Sequence, residues 1–180
     1  MLLKKEKSGF TLIEILLVIG VIMVMSIIKV RDINQQTENM QAQVLADQIK
    51  TVAAATNAFL VLKYSDISGL NSTSVSCNSG NSTCDLTIQN LLDNGLLPPN
   101  FSTTTILGNP YVIQVKRTGS DPNYMFSGIV LTKGVKSNET YPNLVFLGKT
   151  IQSIGKDGGI NKTTGSIVGT YSGWSADSAL

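Results

Sequence analysis

The strongest constraint on this chain is the segment Phe10 to Ile28, FTLIEILLVIGVIMVMSII, an apolar run interrupted by one ionisable residue, Glu14. Its roughly 19 residues make about 28 Å of helix at 1.5 Å per residue, close to the ~30 Å hydrocarbon thickness of a bilayer. The run is long enough to span a membrane once. Lys4, Lys5 and Lys7 precede it and Lys29 and Arg31 follow, with Glu6 and Asp32 partly offsetting them, so flanking charge gives almost no orientation signal. A carboxylate inside such a run either lies at the headgroup level or finds a partner, because an unpaired charge in hydrocarbon is costly. Gly9 stands directly before the run, and a cut after it would leave Phe10 as a new amino terminus with Glu14 as the fifth residue. A secretory signal peptide differs, since its apolar core lies before the cut and is removed.

The phrase KSGFTLIEILLVIGVI resembles the processing and assembly motif of type IV pilins and of the related pseudopilins of type II secretion. The likeness covers residues 1 to about 30. It implies that a prepilin peptidase cuts after Gly9 and methylates the amino group of Phe10, and that Glu14 pairs with the amino terminus of a neighbouring subunit during filament assembly. Physics agrees with that role, because each buried charge would neutralise the other. The implied fold is α+β, the type IV pilin fold: a long amino-terminal helix packed on an antiparallel sheet. The implied divisions are a leader at 1–9, a transmembrane and assembly segment at 10–30, an amphipathic half-helix at 31–64 and a β-rich globular domain at 65–180. The implied partners are other pilin subunits, the peptidase, an inner-membrane assembly platform and the inner membrane itself. The expected location is the bacterial inner membrane first and a surface pilus afterwards.

Beyond Arg31, Ala42, Leu45, Ile49, Val52, Thr56, Phe59 and Leu60 recur at spacings of three and four, while Gln41, Asp47, Lys50 and Asn57 fall mostly elsewhere. No proline lies between Phe10 and Lys63, so one helix of about 54 residues, roughly 80 Å, is expected. Many type IV pilins carry a proline near the exit of the membrane segment. Arg31 stands about there in this chain, so the usual cause of a kink is missing.

The polar stretch SDISGLNSTSVSCNSGNSTCDL reads as a loop with Cys77 and Cys84 flanking its tip. In an oxidising compartment these two pair most simply with each other, the alternative being two free thiols. Leu86 to Leu92 has the spacing of a short helix, with Asp85 as its cap and Gly95 as its stop. YVIQVKR and YMFSGIVLTK alternate as strands across the turn TGSDPN and form a hairpin with one face on the long helix. A helix follows from Tyr141 and Pro142, with Leu144, Leu147, Ile151 and Ile154 on one face until Gly155. Two short strands are expected near Gly158 to Asn161 and Ser166 to Tyr171. The phrases LLDNGLLPPNF, GNPYVIQV, IGKDGGI and GSIVGTYSGW are similar to the pilin domain of minor pilins and tip adhesins of type IVb and conjugative thin pili. That likeness implies a minor or tip subunit in adhesion, aggregation or conjugation. The alternatives are a major pilin of the same filament and a pseudopilin of type II secretion.

Composition narrows the other classes. The 180 residues are 42% hydrophobic and 14% charged, with net charge +2, two cysteines and no histidine. The commonest general base and metal ligand is therefore missing, and two cysteines alone build no zinc site. Neither a catalytic constellation nor a cofactor or metal is expected, so the chain does not read as an enzyme. No basic stripe with interleaved aromatics points to nucleic acid. Asn71, Asn81, Asn100, Asn138 and Asn161 each open an Asn-x-Ser/Thr triplet and read as ordinary turns. Lys156 to Gly159 reads as a bare turn rather than an ion loop, and Trp174 as either a surface anchor or a plug over the last segment.

Overall fold

The computed structural model describes residues 11–70, 75–132, 144–163 and 166–177. It is α+β, and it divides into two compact units between Asn39 and Met40. Helix α1 runs Leu12–Leu62, 51 residues without an interruption, as the proline-free pattern predicts. In the second unit the buried positions of α1 are Ala42, Leu45, Ala46, Val52, Ala55, Thr56, Phe59 and Leu60. The expected stripe is thus present, widened by Ala46 and Ala55, with Ile49 half-buried. Thr56 is buried without penalty because its hydroxyl donates to the Val52 carbonyl at 2.8 Å.

The stretch read as a plain loop is more ordered than its composition suggests. It holds a one-turn helix, α2 (Tyr64–Ser68), and the hairpin of β1 (Ser76–Asn78) with β2 (Thr83–Leu86). Two apolar residues anchor it: Ile67 and Val75 are buried in the main core beside Phe59, Leu91 and Ile113. The hairpin turn is fixed by the Gly80 N–H donating to the Asn78 side chain at 2.9 Å, an Asx turn. Cys77 and Cys84 face each other in register and are joined by a disulfide.

Asp85 is not a helix cap but a residue of β2, where its carboxylate accepts from Gln114 Nε2 at 3.0 Å. The next helix, α3 (Ile88–Asp93), is capped two residues later by Thr87. The Thr87 hydroxyl accepts from the Asn90 N–H at 3.2 Å and the Asn90 side chain accepts from the Thr87 N–H at 2.9 Å, a reciprocal capping box. At the other end Gly95, at φ 68°, donates to Leu92 O and Leu96 donates to Leu91 O, both at 2.9 Å. Those two bonds form a Schellman motif, which needs the left-handed residue that glycine supplies.

The hairpin of β3 (Tyr111–Ser120) and β4 (Asn123–Thr132) is the largest element of the sheet, whose order is β1-β2-β3-β4, all antiparallel. Its turn is tighter than the TGSDPN stretch implies: Thr118, Gly119 and Ser120 stay in β3, and only Asp121 and Pro122 connect, through a cis peptide. Gly119, at φ 91°, closes against the Asn123 carbonyl with no room for a Cβ. On β3, Ile113 and Val115 alternate into the core against Val52, Phe59 and Leu60 of α1, so the hairpin does lay one face on the long helix.

Helix α4 (Leu144–Ile154) ends at Gly155, φ 91°, as expected; Tyr141 and Pro142 lie outside the described residues. The expected face is only partly covered, and the Leu144 side chain lies outside the described ones. Phe146 and Thr150 are buried, with Leu147, Ile151 and Ile154 only half-buried. Phe146 packs on Ala42 and Leu45 of α1, and the Thr150 hydroxyl is satisfied by the Phe146 carbonyl at 3.0 Å. Lys50 of α1 donates to the Ser153 carbonyl at 2.7 Å, placing a cation at the negative end of α4.

A second antiparallel sheet follows in the order β5 (Gly159–Thr163), β6 (Ser166–Gly169), β7 (Ser175–Asp177). The last strand was not expected from sequence, and the second expected strand stops early, because Thr170–Ser172 turns into a 3₁₀ helix. Gly159 and Gly169 are a register pair, and a Cβ on Gly159 would lie 2.7 Å from the Trp174 ring. The half-buried indole therefore lies over two glycines, filling space that side chains would otherwise occupy. Asn161 lies in β5 rather than in a turn, whereas Asn81 and Asn100 are in turns; Asn71 and Asn138 lie outside the described residues.

Candidate functional site

The residues that sequence singles out do not converge on one pocket. Gly9 and Phe10, expected at the processing site, lie outside the described residues. Glu14 is in the first turn of α1, where the Glu14 and Ile15 N–H groups donate to Thr11 O at 3.0 and 3.2 Å. A carboxylate there is favoured by the positive end of the helix dipole. The carboxylate has no ion-pair partner among the described residues.

Around and after Glu14 the helix is apolar on every side. Leu12, Leu17, Ile22, Met25, Ile28 and Ile33 are all more than half exposed, and an 18-residue window of α1 reaches a mean hydropathy of 2.6 with none of it buried. The segment has the length and composition to cross a membrane. A helix apolar all round buries no stripe of its own and needs lipid or other helices around it. The one hydroxyl in its second half, Ser26, donates to the Ile22 carbonyl at 2.8 Å, so it requires no water. Lys29, Arg31 and Asp32 then mark a return to polar surroundings.

The disulfide is the second feature. It ties β1, only three residues long, to β2, with Cys84 buried in the core and Cys77 half-buried. Its place at the sheet edge makes it a brace for the 75–86 hairpin.

Two polar atoms were not legible in the sequence. Asn109 Oδ1 and Tyr111 Oη are buried with no hydrogen-bond partner among the described residues. Burial pushes the Tyr111 hydroxyl above its ordinary value of 10.0. In the unfolded chain the phenol ionises near that ordinary value while the folded chain retains its proton. Its contribution therefore leaves stability unchanged below pH about 10 and lowers it as the pH rises further. Tyr111→Phe removes the unpaired hydroxyl, so it is expected to leave stability at pH 7 unchanged or raised by up to about 1 kcal/mol and to flatten the alkaline loss. Urea titrations of both proteins at pH 7 and above pH 10 check this; a cost above about 1 kcal/mol at pH 7 contradicts it.

Among the described residues no group of His, Cys, Asp and Glu is arranged to hold a metal ion. The Lys156–Gly159 turn is held from within: the Thr170 hydroxyl lies 3.0 Å from the carbonyls of Gly155 and Lys156, and the Thr170 N–H donates to Gly158 O at 2.9 Å. No protein-family model, no curated protein and no solved structure matches this chain.

Proposed function

We propose that this chain is a structural subunit of a type IV pilus-like filament, of the type IVb-like minor or tip kind. The observation that carries the reading is the composition of α1. From Leu12 to Ile28 it is apolar on every side but for a single carboxylate in the first turn, and from Ala42 it is the core helix of a disulfide-bearing α+β unit. In the proposed cycle a prepilin peptidase cuts after Gly9 and methylates Phe10. The apolar segment holds the subunit in the inner membrane, and an assembly platform transfers it into a filament whose core is built from these helices.

Glu14 has a distinct task in each setting. In the bilayer its cost is limited by a position near the headgroups. In a filament core it would meet the amino terminus of Phe10 on a neighbouring subunit, and the pair would be tolerable where either charge alone is not. Glu14→Gln is expected to leave processing intact while reducing the chain in the sheared surface fraction by at least roughly tenfold, because the amine is left buried and unpaired. Immunoblots of membrane and sheared fractions read both quantities. Incorporation of the Gln variant at the wild-type level would sink this role for Glu14.

A further inference from the structure

We propose that the outer edge of β4 is a strand-addition site that takes one extended, uncharged segment of another protein chain. The inference stands on the second unit alone and does not depend on the filament reading.

The direction of the main-chain groups follows from the ladder. The Arg117 N–H donates to Ser82 O at 2.8 Å, on the β2 side of β3. Odd-numbered residues of β3 thus turn their N–H and C=O groups towards β2, and even-numbered ones turn theirs towards β4. Their register partners on β4 are odd-numbered: Ile129 opposite Gln114 and Ser127 opposite Lys116. Tyr124, Phe126, Gly128, Val130 and Thr132 therefore turn theirs away from the sheet. The Tyr124 carbonyl, which accepts from Tyr64 Oη at 3.2 Å, is already reached from that outer side. Among the described residues no backbone pairs with the rest of this row.

The other sheet edges are protected in ways that β4 is not. β1 and β7 are three residues long, and β5 carries a register shift. β4 is ten residues in unbroken register, with no proline and no charged side chain in NYMFSGIVLT. Short length, bulges, prolines and lysines are the usual means of blocking an edge, and a long edge without them invites another strand.

Surroundings set the partner's chemistry. Phe126 and Val130 point to the core side, and the Tyr64 ring meets Phe126 edge-on at 5.3 Å. Met125 is exposed on the opposite face. Of the charges near this edge, Lys63 pairs with Asp66 at 3.7 Å, and Arg117 donates to the Ser68 carbonyl and stacks on Tyr124, while Lys116 is exposed one strand further in, opposite Ser127. An uncharged strand matches this edge, and a charged one would lose water without compensation. A second copy of β4 fits poorly. The symmetric register that pairs all five outward positions centres on Gly128, where a Cβ would lie 3.2 Å from Thr56 of α1. Two α1 helices would then lie over strands about 4.8 Å apart, closer than the 8–10 Å at which helices pack. A lone extended segment avoids that collision.

The test is amide hydrogen exchange on the full chain in detergent micelles, with and without a capped ten-residue peptide of alternating threonine and valine. Without peptide, Phe126, Gly128 and Val130 are expected to exchange at least roughly tenfold faster than Ser127 and Ile129; with it they slow by about tenfold while exposed α3 amides do not change. Ser127→Lys and, independently, Met125→Lys are expected to weaken peptide binding by roughly tenfold, and Asn57→Lys on α1 to leave it unchanged. Three results would each overturn the proposal. These are no slowing with peptide, outward amides already protected in the chain alone, and protection that rises with protein concentration in place of peptide, which would make the occupant a second copy.

Discussion

Phe59→Ala is expected to lower the stability of the second unit by about 3 to 5 kcal/mol, a large part of the 5 to 15 kcal/mol typical of a whole domain. Phe59 is fully buried in the cluster that joins α1 to the sheet, with Val52 and Leu60 on its own helix and Ile113, Val115, Leu91 and Ile67 around it. Truncation removes the ring's transfer energy and leaves a cavity that the surrounding elements can close only partly. The loss reaches beyond one contact, because Ile67 is the one buried residue of α2 and Leu91 belongs to α3. Urea unfolding of the full chain in micelles, followed by near-ultraviolet circular dichroism, checks it. A change below about 1 kcal/mol would mean that α1 and the sheet are not held by this cluster.

Replacing both Cys77 and Cys84 by alanine is expected to cost about 2 to 3 kcal/mol, the chain-entropy value for so short a loop. The loss should be local before it is global. β1 pairs only with β2, and without the covalent link its three residues are held by that short ladder and by Val75 in the core before them. Amides from 75 to 86 are therefore expected to lose exchange protection first, while β3 and β4 keep theirs. Uniform loss across all four strands would show instead that the hairpin is part of one cooperative core.

The long helix and the large hairpin were legible because each follows one period over many residues. The stripe from Ala42 to Leu60 repeats at three and four, and YVIQVKR alternates at two. Ile67 and Val75 were not legible, since a single apolar residue among serines, asparagines and glycines has no period to read. Local chemistry misled at Asp85, a good cap by type that pairing with β3 instead draws into a strand; Thr87 takes the cap with Asn90. On α4 the apolar spacing found Leu147, Ile151 and Ile154, which are half-buried, but not Phe146 and Thr150, which are buried. Threonine is unremarkable in sequence, and only its bond to the Phe146 carbonyl makes burial tolerable.

At the candidate site, Glu14 stood out because a carboxylate in an apolar run has no ordinary explanation, and the cysteine pair because there are only two. The place of β4 at the margin of the described sheet was beyond sequence. An uncharged alternating strand reads the same at the centre of a sheet as at its margin, and the order β1-β2-β3-β4 is a tertiary fact.

The central claim is that the apolar half of α1 is a processed assembly helix. Mass spectrometry of the amino-terminal peptide, from chain isolated out of the cell envelope and out of the sheared surface fraction, tests it most directly. The account predicts a peptide that begins at Phe10, carries one added methyl group on its amine and retains Glu14 and the apolar run. A chain that keeps Met1 to Gly9, or one cut beyond Ile28 so that the run is lost, would contradict it.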